Sequence, residues 1–194
     1  MPTLNELQGM FVSTVGDVAT DFKLGPALLL TEEDLRCQIY SRLRERFDLT
    51  RLVPTADRDV QGAALHCDIS WFDPDGYLYH RPDITILEPE NLSIRRPLDT
   101  NLVTLPSKGA NFVGRALIAE IKFHRHLAAP TEKWLGEVAD DLRKVIGLMG
   151  RHGETLVAVM VVFSRYRRHI ATIEGLLQLR SEGIPYLTHW AIDE

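Results

Sequence analysis

The segment TLVAVMVVFS, residues 155–164, holds eight consecutive apolar residues, four of them valine. Such a run falls far short of the ~20 residues that cross a bilayer, and it shows no polar alternation. A strand built from it is apolar on both faces and needs a packed layer above and below. The neighbouring sequence provides both. TEKWLGEVADDLRKVIGLMG (131–150) repeats Trp134, Val138, Leu142 and Val145 at helical spacing. RRHIATIEGLLQLRSEG (167–183) reads as a second helix, closed by Gly183 and Pro185, and YLTHWAI (186–192) as a last strand.

The first half completes the layers. Leu7, Met10, Phe11, Val15, Val18 and Phe22 recur at helical spacing over residues 3–22. KLGPALLL breaks the chain at Gly25 and Pro26. In TEEDLRCQIYSRLRERF (31–47), Thr31 can cap a helix, acids fill its first turn, and Leu35, Ile39, Leu43 and Phe47 share one face. ALHCDISWF and YLYHRPDITIL are β-rich and separated by DPDG, which predicts one hairpin. From Glu88 to Arg115 the chain is irregular, with turn-formers at Pro89, Pro97, Pro106 and Gly109; loops this long in a compact domain are often functional. The strand RALIAEIKF follows. With 194 residues and no internal repeat, the expectation is one domain, an α/β sandwich around a mixed sheet.

One strand carries a contradiction. In ALIAEIKFHR (116–125), Glu120 and Lys122 point to one face while Ala119, Ile121 and Phe123 point to the other. Upstream, HRPDITIL places Asp83 at the start of another strand, just after Pro82. Two carboxylates held together repel, and burial raises the cost; a divalent cation such as Mg²⁺ removes it. A plainer reading stands beside this one: Glu120 and Lys122 as an ion-paired face of a half-solvated strand, and Asp83 as a strand-start residue making a turn hydrogen bond.

Pro82-Asp83 and Glu120-Ile121-Lys122, in this element order, resemble the PD-(D/E)XK nuclease superfamily and its restriction-endonuclease-like fold. The resemblance runs from Thr31 to about Phe163, a helix, three strands, a helix and a strand (α-β-β-β-α-β, core about 31–163), and makes the first helix and the C-terminal helix and strand additions. It implies metal-dependent hydrolysis of phosphodiester bonds, as a DNA endonuclease, with RNA as the alternative substrate. Asp83, Glu120 and the carbonyl of Ile121 would hold Mg²⁺ or Mn²⁺. Lys122 would orient or deprotonate the attacking water, or neutralise transition-state charge. Glu32, which shares the face of Leu35 and Ile39, takes an auxiliary catalytic role ahead of Glu33. On the helix after the lysine strand, DDLRK (Asp140, Asp141, Lys144) looks like the family's acid-then-lysine pattern. The segment between Asp83 and Glu120 is long for the family, which implies an insertion between the two strands. The rival reading is a non-catalytic module of the same fold that holds nucleic acid or a protein partner through residues 88–115.

A formal charge of −5 excludes a globally basic surface, so nucleic acid has to meet a local patch. SRYRRH (164–169) is the densest one, with Arg165, Arg167 and Arg168 for the backbone and Tyr166 for stacking. Arg125 is a further candidate, and Arg95, Arg96 and Lys108 are weaker ones. The bland alternative for SRYRRH is a solvated loop and helix start. His124 and His126 share a face without an apparent third ligand and read as structural or phosphate-contacting; His66 and Asp68 read as sheet-face residues. The acidic total also raises the expectation of a homodimer or a partner subunit. Cys37 and Cys67, the only cysteines, have no metal-ligand spacing and read as small core residues in a reducing compartment. The start MPTLNELQGMF lacks the features of a signal peptide, so the expectation is a soluble, cytoplasmic protein with no membrane partner.

Overall fold

The computed structural model describes residues 2–72, 77–94, 104–105 and 110–194. Its helices are α1 (Leu4–Leu24), α2 (Glu32–Phe47), α3 (Glu132–His152) and α4 (Ile170–Arg180). Three of them begin where a threonine can accept a free N–H of the first turn. Thr3 and Thr31 do so in full capping boxes with Glu6 and Asp34, and Thr131 accepts from the N–H of Trp134.

The central sheet has five strands: β1 (Leu65–Cys67), β2 (Ile84–Leu87), β3 (Ala116–His124), β4 (Leu156–Tyr166) and β5 (Tyr186–Ile192). Their spatial order is β5-β4-β3-β2-β1. β3, β4 and β5 run parallel, while β2 is antiparallel to β3 and to β1. The sheet is therefore mixed, and β4 is buried along nearly its whole length, as its apolar run requires.

Alternation along β3 and β4 feeds two cores. Leu117, Ala119, Ile121, Phe123, Val159, Val161 and Phe163 face α1 and α2. Ile118, Ala158, Met160 and Val162 face α3 and α4. Phe22 of α1 sits between the rings of Phe123 and Phe163, at centroid distances of 5.8 and 5.7 Å. Truncating such a buried ring to alanine costs about 3–5 kcal/mol.

Two expectations need correction and one needs refinement. The two β-rich segments pair antiparallel with each other as expected, but in two stretches: β1 pairs with β2, whereas Trp71–Phe72 pairs with Leu78–His80 in a separate ribbon. Asp68, at a φ of 54°, turns the chain left-handed between them, and Pro82 has no N–H with which to continue the ladder. The expected DPDG turn lies outside the described residues. The segment from Glu88 to Arg115 is not wholly irregular, since Ala110–Phe112 pairs with both Leu92–Ser93 and Thr104–Leu105. Neither cysteine is a core residue. Cys37 lies on the outer side of α2 and Cys67 on the edge strand β1, and both are exposed.

The ribbon is clamped to α3. Tyr79 lies so close that its hydroxyl is 1.8 Å from the position of any Cβ on Gly147, and the Arg151 guanidinium covers its ring at 4.0 Å. A side chain at 147 would have to displace the Tyr79 hydroxyl, and Tyr79 directly precedes His80. Among the described residues no helix is long and apolar enough to cross a membrane.

Candidate functional site

The site forms where the β2–β3 ladder stops. Its last pair is Ala119 with Ile84. Continuing the register sets Glu120 opposite Asp83, and Ile121 opposite Pro82. There a side chain takes over from the ladder: the N–H of Ile121 donates to Asp83 Oδ2 at 2.7 Å. The N–H and C=O of a strand residue point to the same side, so the Ile121 carbonyl also faces this junction, and Pro82 has no hydrogen to offer it.

Glu120 is 5% exposed. Its Oε1 accepts from Lys122 Nζ at 3.2 Å. Its Oε2 lies 3.1 Å from His80 Nε2 without the alignment of a hydrogen bond, and both atoms are buried with no hydrogen-bond partner. Lys122 is ringed by acids from three elements: Glu120 on its own strand, Asp141 of α3 at 3.0 Å and Glu32 of α2 at 3.5 Å. The second oxygen of Glu32 accepts the N–H of Phe123 at 3.1 Å, which ties the start of α2 to the end of β3. On the far side Arg36 reaches Asp83 Oδ1 at 3.5 Å and pairs with Asp68 and Glu33.

These surroundings set the charges. Burial and the neighbouring Glu120 push the Asp83 carboxyl up to about 7, against the opposing pull of the Ile121 N–H and Lys122. Burial works against the charge on Lys122, but Glu120, Glu32 and Asp141 outweigh it and hold the amine above its ordinary range. Burial would raise the Asp141 carboxyl, yet Lys144, at 2.8 Å, and Lys122 hold it below the usual carboxylate range. Lys122 is thus a fixed cation, while Asp83 is an acid short of positive charge.

Among the described residues no group of three or more His, Cys, Asp or Glu side chains is placed to hold a metal by itself. The donors at the junction are two carboxylates and one carbonyl, with a buried carboxylate oxygen left without a hydrogen bond. An all-oxygen, incomplete set fits a hard cation such as Mg²⁺, which keeps waters or takes ligand oxygens, and does not fit a closed zinc site.

Asp83, Glu120, Lys122 and Glu32 are therefore brought together, with Ile121 between the first two. Arg125 shares a cleft of about 350 Å³ with two of them, Glu32 and Lys122, beside His126, Trp134 and Glu137; Asp83 and Glu120 do not line it. The other arginines have local partners and do not line that cleft. Arg165 donates to the Leu29 carbonyl at 3.0 Å, Arg168 to that of Leu127 at 2.9 Å, and Arg167 lies 3.4 Å from Asp193. Arg167 and Arg168 remain exposed. Arg95, Arg96 and Lys108 lie outside the described residues. Of the DDLRK acids, Asp141 reaches Lys122, whereas Asp140 pairs with Arg143 on the surface. Sequence reasoning passed over Arg36 and His80. Arg36 carried a signal, since it lies four residues after Glu32 and so shares its helical face. Asp68, expected as a sheet-face residue, holds Arg36.

No family model matches this chain, and comparison with curated proteins and with solved structures gives no match.

Proposed function

We propose that this protein is a divalent-metal-dependent nuclease of the PD-(D/E)XK type that hydrolyses phosphodiester bonds, with DNA as substrate ahead of RNA. One observation carries the reading: where the β2–β3 ladder ends, Asp83 accepts the Ile121 N–H at 2.7 Å and feels the charge of the neighbouring Glu120 carboxylate, with the Lys122 amine 3.2 Å from Glu120. The order α2, β1, β2, β3, α3, β4 supports a restriction-endonuclease-like core over about residues 31–163, with α1 before it and α4 and β5 after it.

Asp83, Glu120 and the Ile121 carbonyl would hold Mg²⁺ or Mn²⁺. Bound there, the ion would polarise a phosphoryl oxygen and lower the pKa of a water. Lys122, kept protonated by its three acids, neutralises charge that develops on the phosphoryl oxygens; it does not take the proton from water. Glu32 and Asp141 are positioning residues that aim the amine. Arg125 at the cleft rim meets a neighbouring phosphate. A homodimer or a partner subunit would extend this small surface along a duplex.

A second reading has one observation in its favour. Arg36 and His80 already stand beside the two acids, as in a module that holds nucleic acid or a protein partner without cutting. A cleavage assay with Mg²⁺ and Mn²⁺ on plasmid, linear and single-stranded DNA and on RNA separates the two, with Lys122→Ala and Asp83→Ala alongside. Metal-dependent cutting that disappears in both variants supports the nuclease. Cutting that persists in both overturns this site. Binding without cutting, and without a metal-induced rise in Tm, supports the module.

A further inference from the structure

Next to the cleft of Lys122 and Arg125 lies a second hollow of about 400 Å³. His124, His126, Ala128 and Trp134 wall it, and Lys133 and Glu137 stand at its mouth. The two depressions share His126, Trp134 and Glu137, so they form one continuous surface with Lys122 at one end and His124 at the other. Their characters differ. The Lys122 end is lined by charged groups, while the His124 end is aromatic and aliphatic.

The hollow is firmly built. Trp134 is half-buried and packs on the core formed by Val138, Leu142 and Met160. The His124 ring meets it edge-on, with centroids 5.1 Å apart, and His169 backs His124 at 5.0 Å. Burial, together with the neighbouring His169 and His126, pushes His124 down to about 4, so its imidazole is neutral at ordinary pH. Lys133 and Glu137, 4.0 Å apart one helical turn on, offer a donor and an acceptor at the rim. The volume is in the range of small-molecule sites. A phosphate does not suit neutral, apolar walls. A flat uncharged ring with polar edges does, and one end of the surface already suits the phosphate to which such a ring is attached.

We infer that this hollow receives a nucleobase of the strand whose phosphate lies over Lys122, an inference that rests on the nuclease reading for the placing of that phosphate. A base paired in a duplex is stacked inside it and enters a walled pocket beside the backbone only after it is unpaired and unstacked. The substrate class is therefore single-stranded or locally unpaired nucleic acid. Base–aromatic stacking of this kind tolerates any base, so the pocket selects for unpaired structure more than for sequence.

The test is a coupling experiment between Trp134 and one base. A single-stranded oligonucleotide, its duplex, and a series bearing one abasic site at successive positions are cleaved by the wild type, by Trp134→Ala and by Trp134→Leu, which keeps apolar packing under the pocket. The expected result is a preference for the single strand and one abasic position at which kcat/KM falls about 10-fold, as loss of one stacked base predicts. Both variants lower kcat/KM on the intact strand by a similar factor and show no further loss at that abasic position. A flat abasic profile, a preference for duplex, or effects of variant and abasic site that multiply overturns the pocket while leaving the nuclease intact. The same cycle is read by anisotropy of the labelled strands with Ca²⁺ in place of Mg²⁺. Coupling there without any cleavage keeps the pocket and removes the nuclease, and no binding to any strand removes both.

Discussion

Strand β2 has an acid at each end, Glu88 buried and Asp83 half-buried, and the two are treated in opposite ways. Glu88, just after the strand, is 5% exposed and accepts hydrogen bonds from the backbone N–H and guanidinium of Arg115 and from Asn91. Burial would raise this carboxyl, yet those donors hold it below its usual range. Asp83, just before the strand, has one backbone N–H, a distant arginine and a like-charged neighbour, and sits far above its usual range. Both are carboxylates on the same few residues of chain. An acid that only holds structure is given all the donors it can use; an acid left short of them keeps room for a cation from outside.

The largest effect that tests this contrast is on activity. On the proposed nuclease reading, Asp83→Asn or Lys122→Ala should lower cleavage by at least about 100-fold, as removal of a transition-state charge partner does, whereas Glu88→Gln should leave the activity of each folded molecule intact. Stability moves the other way. Asn at 83 keeps the acceptor for Ile121 and removes the repulsion with Glu120, so the metal-free Tm of Asp83→Asn rises by about 3 °C. Glu88→Gln lowers Tm by about 5 °C, since hydrogen bonds to a charged group contribute about 1.5–3 kcal/mol. Matching shifts of the same sign in the two variants would erase the distinction.

The dependence on pH sharpens it. Below about pH 4, an ordinary carboxyl is protonated in both the folded and unfolded chains. As pH rises toward 7 the unfolded chain releases the Asp83 proton while the folded one retains it, so the native state binds more protons and loses stability. Glu88 has the opposite sign, its contribution being present above the ordinary carboxylate range and lost as pH falls. Melting curves in EDTA from pH 4 to 8 should therefore show the Tm advantage of Asp83→Asn growing through this window and levelling above about 7. Added Mg²⁺ should abolish the trend in the wild type. An advantage independent of pH would mean that the Asp83 charge is not the cause.

The smallest effect belongs to Arg36. At 3.5 Å it is a weak partner for Asp83, so Arg36→Gln changes Tm by less than about 2 °C. It also removes a cation that competes at the junction, and Mg²⁺ affinity measured by calorimetry should rise a few-fold. A fall in affinity would make Arg36 part of the site rather than a rival for it.

What the sequence disclosed depended on which forces act locally. Thr3, Thr31 and Thr131 fix helix starts through bonds within one turn, and the apolar run of β4 leaves no alternative to burial. The meeting of Asp83 with Glu120 and Lys122 follows from strand periodicity and a single antiparallel register. The break in the hairpin was hidden, because a left-handed Asp68 is one of several ways to leave a ladder. The choice of Asp141 over Asp140 depended on the rotation of α3 against the sheet, which no local spacing specifies. Exposure of Cys67 required knowing which strand ends the sheet.

The ring around Lys122 draws on residues 32, 120 and 141, and Asp83 stands opposite. Partners so far apart in the chain come together only after the parallel crossover through α3 has closed and α2 has docked, both slow, non-local steps. A partly folded chain then has no partial site. On the proposed nuclease reading, activity should disappear during equilibrium unfolding in the same transition as the far-UV signal, so that cutting power would be switched on by the last cooperative step of folding rather than acquired by degrees.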